Sequence, residues 1–177
     1  AKMLRRHGAE VVTGAEVMTI TPGANWEITT KTNTYTAPIV INATGAWGDV
    51  IADMAGIRKV GLQPMRRSAA ILPMPNGMNV SHWPLVASAS ERWYSKPMGG
   101  KLMVSPADED PVSPHDAWPD DMVLAEGLDR FEQATTYAVT RVERSWAGLR
   151  SFVADRTLVA GFAPDAPGFF WLVGQGG

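Results

Sequence analysis

The sequence contains no cysteine, which excludes a disulfide framework, a thiolate metal site and a cysteine nucleophile. Histidine is scarce as well. His7, His82 and His115 lie far apart in the chain, and no two of them have the spacing typical of metal ligands. No Walker loop or nucleophile elbow is present either. We therefore expect no metal centre and no hydrolase of a familiar type.

The protein also has no excess of positive charge and no long apolar run. Sixteen Lys and Arg against eighteen Asp and Glu give a net charge of −2, so we expect no nucleic-acid partner. The longest apolar stretches, such as residues 169–173, are far shorter than the roughly 20 residues that span a bilayer. No secretory signal follows Ala1. These absences predict a soluble, cytoplasmic protein without a transmembrane segment.

The 177 residues that are present suffice for one domain of ordinary size or two small ones. With 45% hydrophobic and 19% charged residues, the chain can bury about two-thirds of its unfolded surface. It begins in what resembles the tail of a helix, closed by Gly8, and stops on the glycine turn of residues 174–177. These two ends predict a fragment of a longer protein.

The order of predicted elements indicates an α+β protein. The turn at Pro22 and Gly23 predicts a hairpin, and the strand formed by residues 39–41 is expected to be buried on both faces. Further strands are predicted at residues 10–20, 26–30 and 34–36. A first helix is predicted at residues 47–54, ended by Gly56.

The centre of the chain predicts an antiparallel sheet of short strands separated by Pro and Gly. A loop at residues 107–119 leads to a helix at 122–137, capped by Asp120 or Asp121. Its apolar stripe is Leu124, Leu128, Phe131 and Thr135. The predicted sheet strands are residues 67–72, 85–88, 93–96 and 101–105, followed after the helix by 142–149, 158–160 and 169–173.

Three segments carry features that packing alone explains less well. Residues 40–47 join a buried strand to side chains so small that a helix or a ligand must approach the backbone. Arg150 follows an apolar strand, where it suits bidentate recognition of a carboxylate or an ion pair with Asp155. Residues 169–177 form a strand that leads to a glycine turn, which in a complete domain starts a helix whose free amides attract negative charge.

Taken in this order, the three segments resemble the flavin-dependent D-amino acid oxidase family across essentially the whole chain. Within this family, the sequences of residues 62–68, 145–155 and 168–171 are most similar to those of D-arginine dehydrogenase and its relatives. The resemblance implies an antiparallel-sheet substrate domain flanked by partial elements of a Rossmann-like FAD domain. The implied boundaries are 1–60 for part of the FAD domain, 61–146 for the substrate domain and 147–177 for the return to the FAD domain.

The resemblance implies oxidation of D-amino acids, basic ones included, by hydride transfer to FAD, with an imino acid, a keto acid and ammonia as products. No catalytic acid or base is expected. The implied partners are a small amino acid substrate and the remainder of the same polypeptide. The implied substrate-binding residues are Arg67, Leu85, Ala87, Tyr94 and Arg150, and the implied cofactor-binding residues are Val11, Ala43, Thr44, Gly45, Trp47, Gly176 and Gly177.

Several alternatives remain open at this point. Arg66 competes with Arg67 for the role in the cavity, because adjacent residues of a strand face opposite sides. A sarcosine or glycine oxidase-like amine oxidase, a glycerophosphate dehydrogenase and a non-catalytic antiparallel-sheet binding module are other candidates. The family's N-terminal glycine-rich fingerprint has no counterpart in this chain. We therefore expect the 177 residues alone to bind flavin poorly and to be inactive.

Overall fold

The computed structural model describes residues 2–74 and 77–176, and it divides the chain into two compact units. The first unit comprises the residues up to Gly61 together with Leu158–Val173. The second comprises Leu62–Thr157 together with the residues from Gly174 onward. Residues 147–157, which the resemblance grouped with the closing segment of the chain, therefore lie in the second unit. Within the described ranges, no helix has both the length and the apolarity needed to cross a bilayer.

The first unit begins with a short helix and a three-stranded antiparallel sheet, as the turn signals predict. Helix α1 (Lys2–Arg6) ends at Gly8, whose φ of +79° and hydrogen bond to the Arg5 carbonyl are those of a glycine C-cap. The sheet has the order β1-β2-β3. Its strands are β1 (Val17–Thr21), β2 (Trp26–Thr30) and β3 (Thr34–Ala37).

The predicted strand from residue 10 is too long at its start. Pairing between β1 and β2 begins with Val17 opposite Thr30, where the chain turns through a hydrogen bond from the Thr30 amide to the Asn33 carbonyl. Residues 10–16 therefore have no β2 residue opposite them. Val11, which the resemblance implies for cofactor binding, is half-buried and lies outside every strand of the described structure.

A second sheet of the first unit contains a parallel pair of strands followed by a helix. Strands β4 (Val40–Asn42), β11 (Val159–Phe162) and β12 (Phe169–Val173) have the order β11-β12-β4. β12 is parallel to β4 and antiparallel to β11. A 3₁₀ turn at Gly45–Trp47 leads from β4 into α2 (Gly48–Met54). A strand, a tight turn and a helix in succession are typical of nucleotide-binding folds.

The burial predicted for residues 39–41 is wrong. Ile39 and Ile41 are 49% and 57% exposed, and among the residues of β4 only Asn42 is buried. The physical reason is position, since β4 is an edge strand of its sheet in the described structure and one of its faces is uncovered.

The second unit is built on the predicted antiparallel sheet, with the order β10-β5-β8-β7-β6 and with β9 also paired to β5. β9 falls inside the segment predicted as a loop, because a two-residue strand leaves no periodic signal in a sequence. The strands are β5 (Gln63–Leu72), β6 (Val86–Ala87), β7 (Tyr94–Met98), β8 (Lys101–Ser105), β9 (Asp110–Pro111) and β10 (Arg144–Phe152).

Helix α3 (Asp121–Ala134) covers one face of this sheet. Asp120 caps it, because its side chain accepts hydrogen bonds from the amides of the second and third helical residues. Three of the four predicted stripe residues, Leu124, Leu128 and Phe131, are buried in the core. Their neighbours in this core are Ala70, Leu72, Trp93, Leu102 and Val104.

The fourth predicted stripe residue, Thr135, lies beyond the end of the helix. Its backbone is extended, at φ −135°, and its Oγ1 donates a hydrogen bond to the Phe131 carbonyl. This bond satisfies one of the carbonyls that a helix end leaves free. The helix therefore ends at Ala134 and not at residue 137.

Candidate active site

A cavity of about 900 Å³ in the second unit is lined by all five predicted substrate-binding residues. Two strand pairs explain how residues so distant in sequence meet. Ala87 lies opposite Tyr94 in the β6–β7 pair, so the two side chains share one face of the sheet. Leu85 lies two residues before Ala87 and Lys96 two residues after Tyr94, on the same face. Leu85 is 58% exposed, so this wall of the cavity is open to solvent.

Arg67 and not Arg66 lines the cavity, as the alternation along a strand requires. The Arg66 Nη2 donates to Asp110 Oδ2 at 2.7 Å on the opposite face of β5. The Arg67 guanidinium carbon lies 5.9 Å from the centre of the Tyr94 ring, on the cavity side. This placement answers the question that the adjacent arginines raised.

Arg150 enters the cavity from β10 and is held by partners other than Asp155. Its Nε donates to the Gly176 carbonyl at 2.8 Å, and its guanidinium lies 5.2 Å from the centre of the Phe152 ring. The Asp155 carboxylate instead accepts hydrogen bonds from the backbone and hydroxyl of Thr157, which lower the pKa of Asp155. The alternative of an Arg150–Asp155 ion pair is therefore wrong.

A single carboxylate connects the arginines of the cavity. Glu109 Oε1 accepts from Arg67 Nη2 at 2.8 Å and from Arg150 Nη1 at 3.4 Å, while Oε2 accepts from Arg156 Nη2 at 2.8 Å. The hydrogen bond from Arg156, together with the charges of the three arginines, holds the pKa of Glu109 below its ordinary value against the opposing effect of burial. In the folded protein at neutral pH, Glu109 is therefore a carboxylate anion.

One donor in the cavity has no acceptor. The Nε of Arg67 is buried and makes no hydrogen bond in the described structure. A buried donor without a partner costs about 1–3 kcal/mol, so such groups call for an explanation. The Nε of Arg66, on the opposite face of β5, is likewise buried without a partner, so this feature belongs to both arginines and not to the cavity alone.

The sequence reasoning missed two members of this cluster, Glu109 and Arg156. The sequence shows a run of three acids at residues 108–110, but the register that brings Glu109 to Arg67 becomes visible only in the structure. β9 pairs with β5 so that Arg66 is opposite Asp110, and the same register continued places Glu109 opposite Arg67 and Asp108 opposite Ser68. The hydrogen bonds agree, since Asp108 accepts from both the amide and the hydroxyl of Ser68. Asp108, Glu109 and Asp110 thus lie opposite Ser68, Arg67 and Arg66, respectively.

No comparable signal exists for Arg156. It has a left-handed backbone, with φ +60°, and its guanidinium lies 4.1 Å from the centre of the Phe152 ring. A non-glycine residue in this conformation is uncommon and is not predictable from its neighbours in the sequence. The direction of its side chain follows from that backbone conformation.

Gly176, predicted to offer a backbone amide to the flavin, packs within the second unit. Its φ is +71°, and a Cβ at this position would overlap the Phe152 ring. Its carbonyl is the acceptor for Arg150. Gly177, predicted for the same role, lies outside the described residues.

The remaining predicted cofactor residues lie in the first unit, at the carboxyl end of β4. Ala43, Thr44, Gly45 and Trp47 are all exposed. Thr44 Oγ1 donates to Asn42 Oδ1 at 2.7 Å, and the buried Asn42 amide donates to the Gly48 carbonyl at 2.8 Å, which together hold the turn. Gly45 has a φ of +57°, and a Cβ built on it would meet no atom within 4 Å. The turn therefore leaves open space against its backbone, where ligands of parallel sheets bind.

Solved structures of a dehydrogenase and an oxidase share this fold. L-Proline dehydrogenase from P. horikoshii superposes with a TM-score of 0.80 at 21% identity, over 98% of this chain and 47% of that one. L-α-Glycerophosphate oxidase from Mycoplasma pneumoniae, with FAD bound, superposes with a TM-score of 0.83 at 18% identity, over 97% of this chain and 48% of that one. At this level of identity the likeness shows a shared fold, an α+β arrangement of antiparallel sheets and helices.

The family model of the FAD-dependent oxidoreductases, DAO, matches residues 1–177, and the chain belongs to this family. A relative, FAD-dependent oxidoreductase domain-containing protein 1 from Xenopus laevis, is 27% identical over 163 residues, which cover 78% of this chain and 31% of the relative. The chain thus spans about a third of that relative and about half of the two solved structures.

Family membership makes FAD the cofactor of this protein. The open turn at Gly45 fits such a group, because its exposed small residues leave room for a flat ring or a phosphate to approach the backbone. The fit concerns the first unit alone.

Proposed function

We propose that the protein oxidises D-amino acids with FAD as the electron acceptor, giving an imino acid that water hydrolyses to a keto acid and ammonia. FAD, when bound, accepts the hydride that leaves the α-carbon of the substrate. The observation that carries the proposal is the meeting of Arg67 and Arg150 in one cavity. The preference for the D-configuration is supported by the sequence motifs that resemble the D-amino acid oxidases.

The two arginines would bind the substrate carboxylate. A guanidinium presents its N–H groups in a planar fork that matches a carboxylate, and each charged hydrogen bond contributes about 1.5–3 kcal/mol. Tyr94 would add a hydroxyl donor beside Arg67. With the carboxylate held, the α-carbon of the substrate has a defined position, which is the protein's main contribution to such a reaction.

The side chain of the substrate would lie along Leu85 and Ala87. The lining residue Glu91 carries a carboxylate that no arginine engages in the described structure, so it supplies a partner for a cationic substrate side chain. This arrangement supports the basic D-amino acids that the similarity to D-arginine dehydrogenase implies. Because the wall is open at Leu85, apolar side chains of different length are also accommodated.

The cofactor roles proposed for this chain start from the turn after β4. Ala43, Thr44 and Gly45 would bring backbone close to the cofactor, with Trp47 beside them. Val11, Gly176 and Gly177 complete the set that the resemblance implies. The activity is proposed for the whole protein, since this chain spans about half of the solved structures.

The role of the turn is tested by a pair of glycine substitutions. We expect Gly45→Ala to weaken FAD binding about tenfold, because its Cβ would fill the open side of the turn and its left-handed backbone would be strained by about 1 kcal/mol. Gly14→Ala is the matched control, since Gly14 has a φ of +67° and equally open surroundings but lies outside the turn. Fluorescence titration of the whole protein that carries this chain with FAD gives the dissociation constants. Equal losses in the two variants would show that strain alone is responsible.

The activity itself is tested with a substrate panel. The whole protein that carries this chain is loaded with FAD and mixed without oxygen with D-arginine, D-alanine, L-arginine, glycine, sarcosine and glycerol 3-phosphate, and bleaching of the flavin band is followed. We expect fast reduction by the two D-amino acids and slow or no reduction by the others. Fast reduction by sarcosine, glycine or glycerol 3-phosphate would assign the protein to that alternative. No reduction by any compound would support a binding module and contradict the proposal.

A further inference from the structure

The geometry points to Glu109 as a positioning residue, whose carboxylate holds Arg67 and Arg150 at the separation needed to receive the carboxylate of the substrate. This inference rests on the proposed function, and it adds a role that neither the sequence motifs nor the family assign. Glu109 touches no reacting atom in this scheme. It acts through the two arginines.

The first step of the argument is the sharing of one oxygen. Arg67 Nη2 and Arg150 Nη1 both donate to Oε1 of Glu109, at 2.8 and 3.4 Å. Two guanidinium groups bound to the same atom have a fixed separation. Arg67 comes from β5 and Arg150 from β10, and in the described structure no direct bond joins their side chains. Glu109 therefore sets the width of the site where an acid binds.

The second step excludes a competing role for Glu109 as a resident carboxylate that blocks the site. A guanidinium has five N–H groups. Arg67 gives one to Glu109, and Arg150 gives one to Glu109 and one to the Gly176 carbonyl. The Nε of Arg67 is buried out of reach of a ligand, so three N–H groups on each arginine remain for a substrate. The substrate and Glu109 can thus bind the same arginines at once.

The third step concerns charge. Arg156 Nη2 donates to the other oxygen, Oε2, so three cations surround one anion. Without that anion the cations repel one another at short range, and partly buried charges are poorly screened. The side chains of Arg67 and Arg150 are only 15% and 29% exposed. Loss of the Glu109 charge would therefore drive the Arg67 and Arg150 guanidinium groups apart. In the native cluster, three arginines against one glutamate leave a net positive charge that attracts acids.

The test is a double-mutant comparison in the whole protein that carries this chain, loaded with FAD, with D-alanine as substrate and benzoate as an acid that has no amine. We expect Glu109→Gln to lower kcat/KM about tenfold and to raise the benzoate dissociation constant by about the same factor, with kcat changed less than about threefold. In the background R67M/R150M the same substitution should change kcat/KM less than about twofold, because its effect passes through the two arginines. Glu109→Asp, which keeps the charge, should recover part of the loss.

The controls separate this inference from the proposed function. Glu126→Gln removes an exposed carboxylate that also faces an arginine, Arg130, but lies on α3 away from the cavity, and it should leave both constants unchanged. If the wild type neither oxidises D-alanine nor binds benzoate, the proposed function fails and the inference fails with it. If the wild type does both, the inference alone is overturned by tighter benzoate binding in Glu109→Gln, or by an equal loss in both backgrounds. Should Glu109→Gln fold poorly, the same comparison is made with Glu109→Asp. A loss of kcat/KM that is equally large in the R67M/R150M background would then overturn the inference.

Discussion

Replacement of Arg150 by methionine is expected to raise the KM for D-amino acids about 10- to 100-fold while changing kcat much less. The guanidinium would supply charged hydrogen bonds to the substrate carboxylate, and the loss of about 1.5–3 kcal/mol corresponds to this factor. Methionine has a similar length, so the Phe152 ring keeps an apolar neighbour. Steady-state kinetics with D-arginine and D-alanine give both constants.

Two further variants sharpen this prediction. Arg144→Met makes the same change on the same strand, but Arg144 does not line the cavity and its KM should match the wild type. Arg150→Lys keeps a charge but loses the planar fork, so its KM should fall between those of the wild type and Arg150→Met. A wild-type KM in Arg150→Met would assign Arg150 to structure and not to substrate binding.

Replacement of Phe131 by alanine is expected to lower the free energy of unfolding by about 3–5 kcal/mol, the range found when a buried aromatic ring is removed. Phe131 is 2% exposed, and its ring packs at right angles to Trp93 at a centroid distance of 5.3 Å. It also packs against Tyr137 at 5.7 Å. Trp93 lines the cavity, so the substitution would also remove support from one wall of the site.

The matched control is Phe162→Ala, which removes the same side chain from an exposed position. Phe162 is 58% exposed on β11, so we expect a loss below about 1 kcal/mol. Urea titration followed by tryptophan fluorescence gives both free energies. Similar losses in the two variants would contradict the assignment of Phe131 to the centre of the core of the second unit.

The elements that were predictable from the sequence are those with a strong local signal. The helical spacing of Leu124, Leu128 and Phe131 predicted the buried face of α3, and Asp120 marked its start. The end of that helix was not predictable, because Thr135 leaves the helical conformation to bond the Phe131 carbonyl. The spacing of apolar residues predicts which side chains share a helix face. It does not predict the residue at which the helix ends.

Errors elsewhere came from contacts between distant segments. The apolar residues Ile39 and Ile41 predicted a strand covered on both sides, yet β4 lies at a sheet edge in the described structure. The start of β1 depends on where β2 turns, and the existence of β9 depends on its pairing with β5. In each case the deciding partner lies elsewhere in the chain, so no local pattern could reveal it.

The five residues predicted for substrate binding line one cavity, whereas their roles remain to be tested. Arg67 and Arg150 line the same cavity because each follows the alternation of its own strand. Glu109 and Arg156 escaped prediction for different reasons. The first lies in a run of acids that resembles a solvated loop, and the second depends on an uncommon backbone conformation.

The pairing of residues 108–110 with residues 66–68 has a consequence for how this protein can diverge. The three successive acids point alternately to the two faces of β5. Asp108 contacts Ser68 and Asp110 contacts Arg66 on one face, whereas Glu109 contacts Arg67 on the other. Insertion or deletion of one residue after β8 would exchange the faces and bring a shorter side chain to the cavity. The connection between β8 and β9 is thus constrained in length more than in composition, and insertions are tolerated better after β9, in the irregular segment that precedes α3.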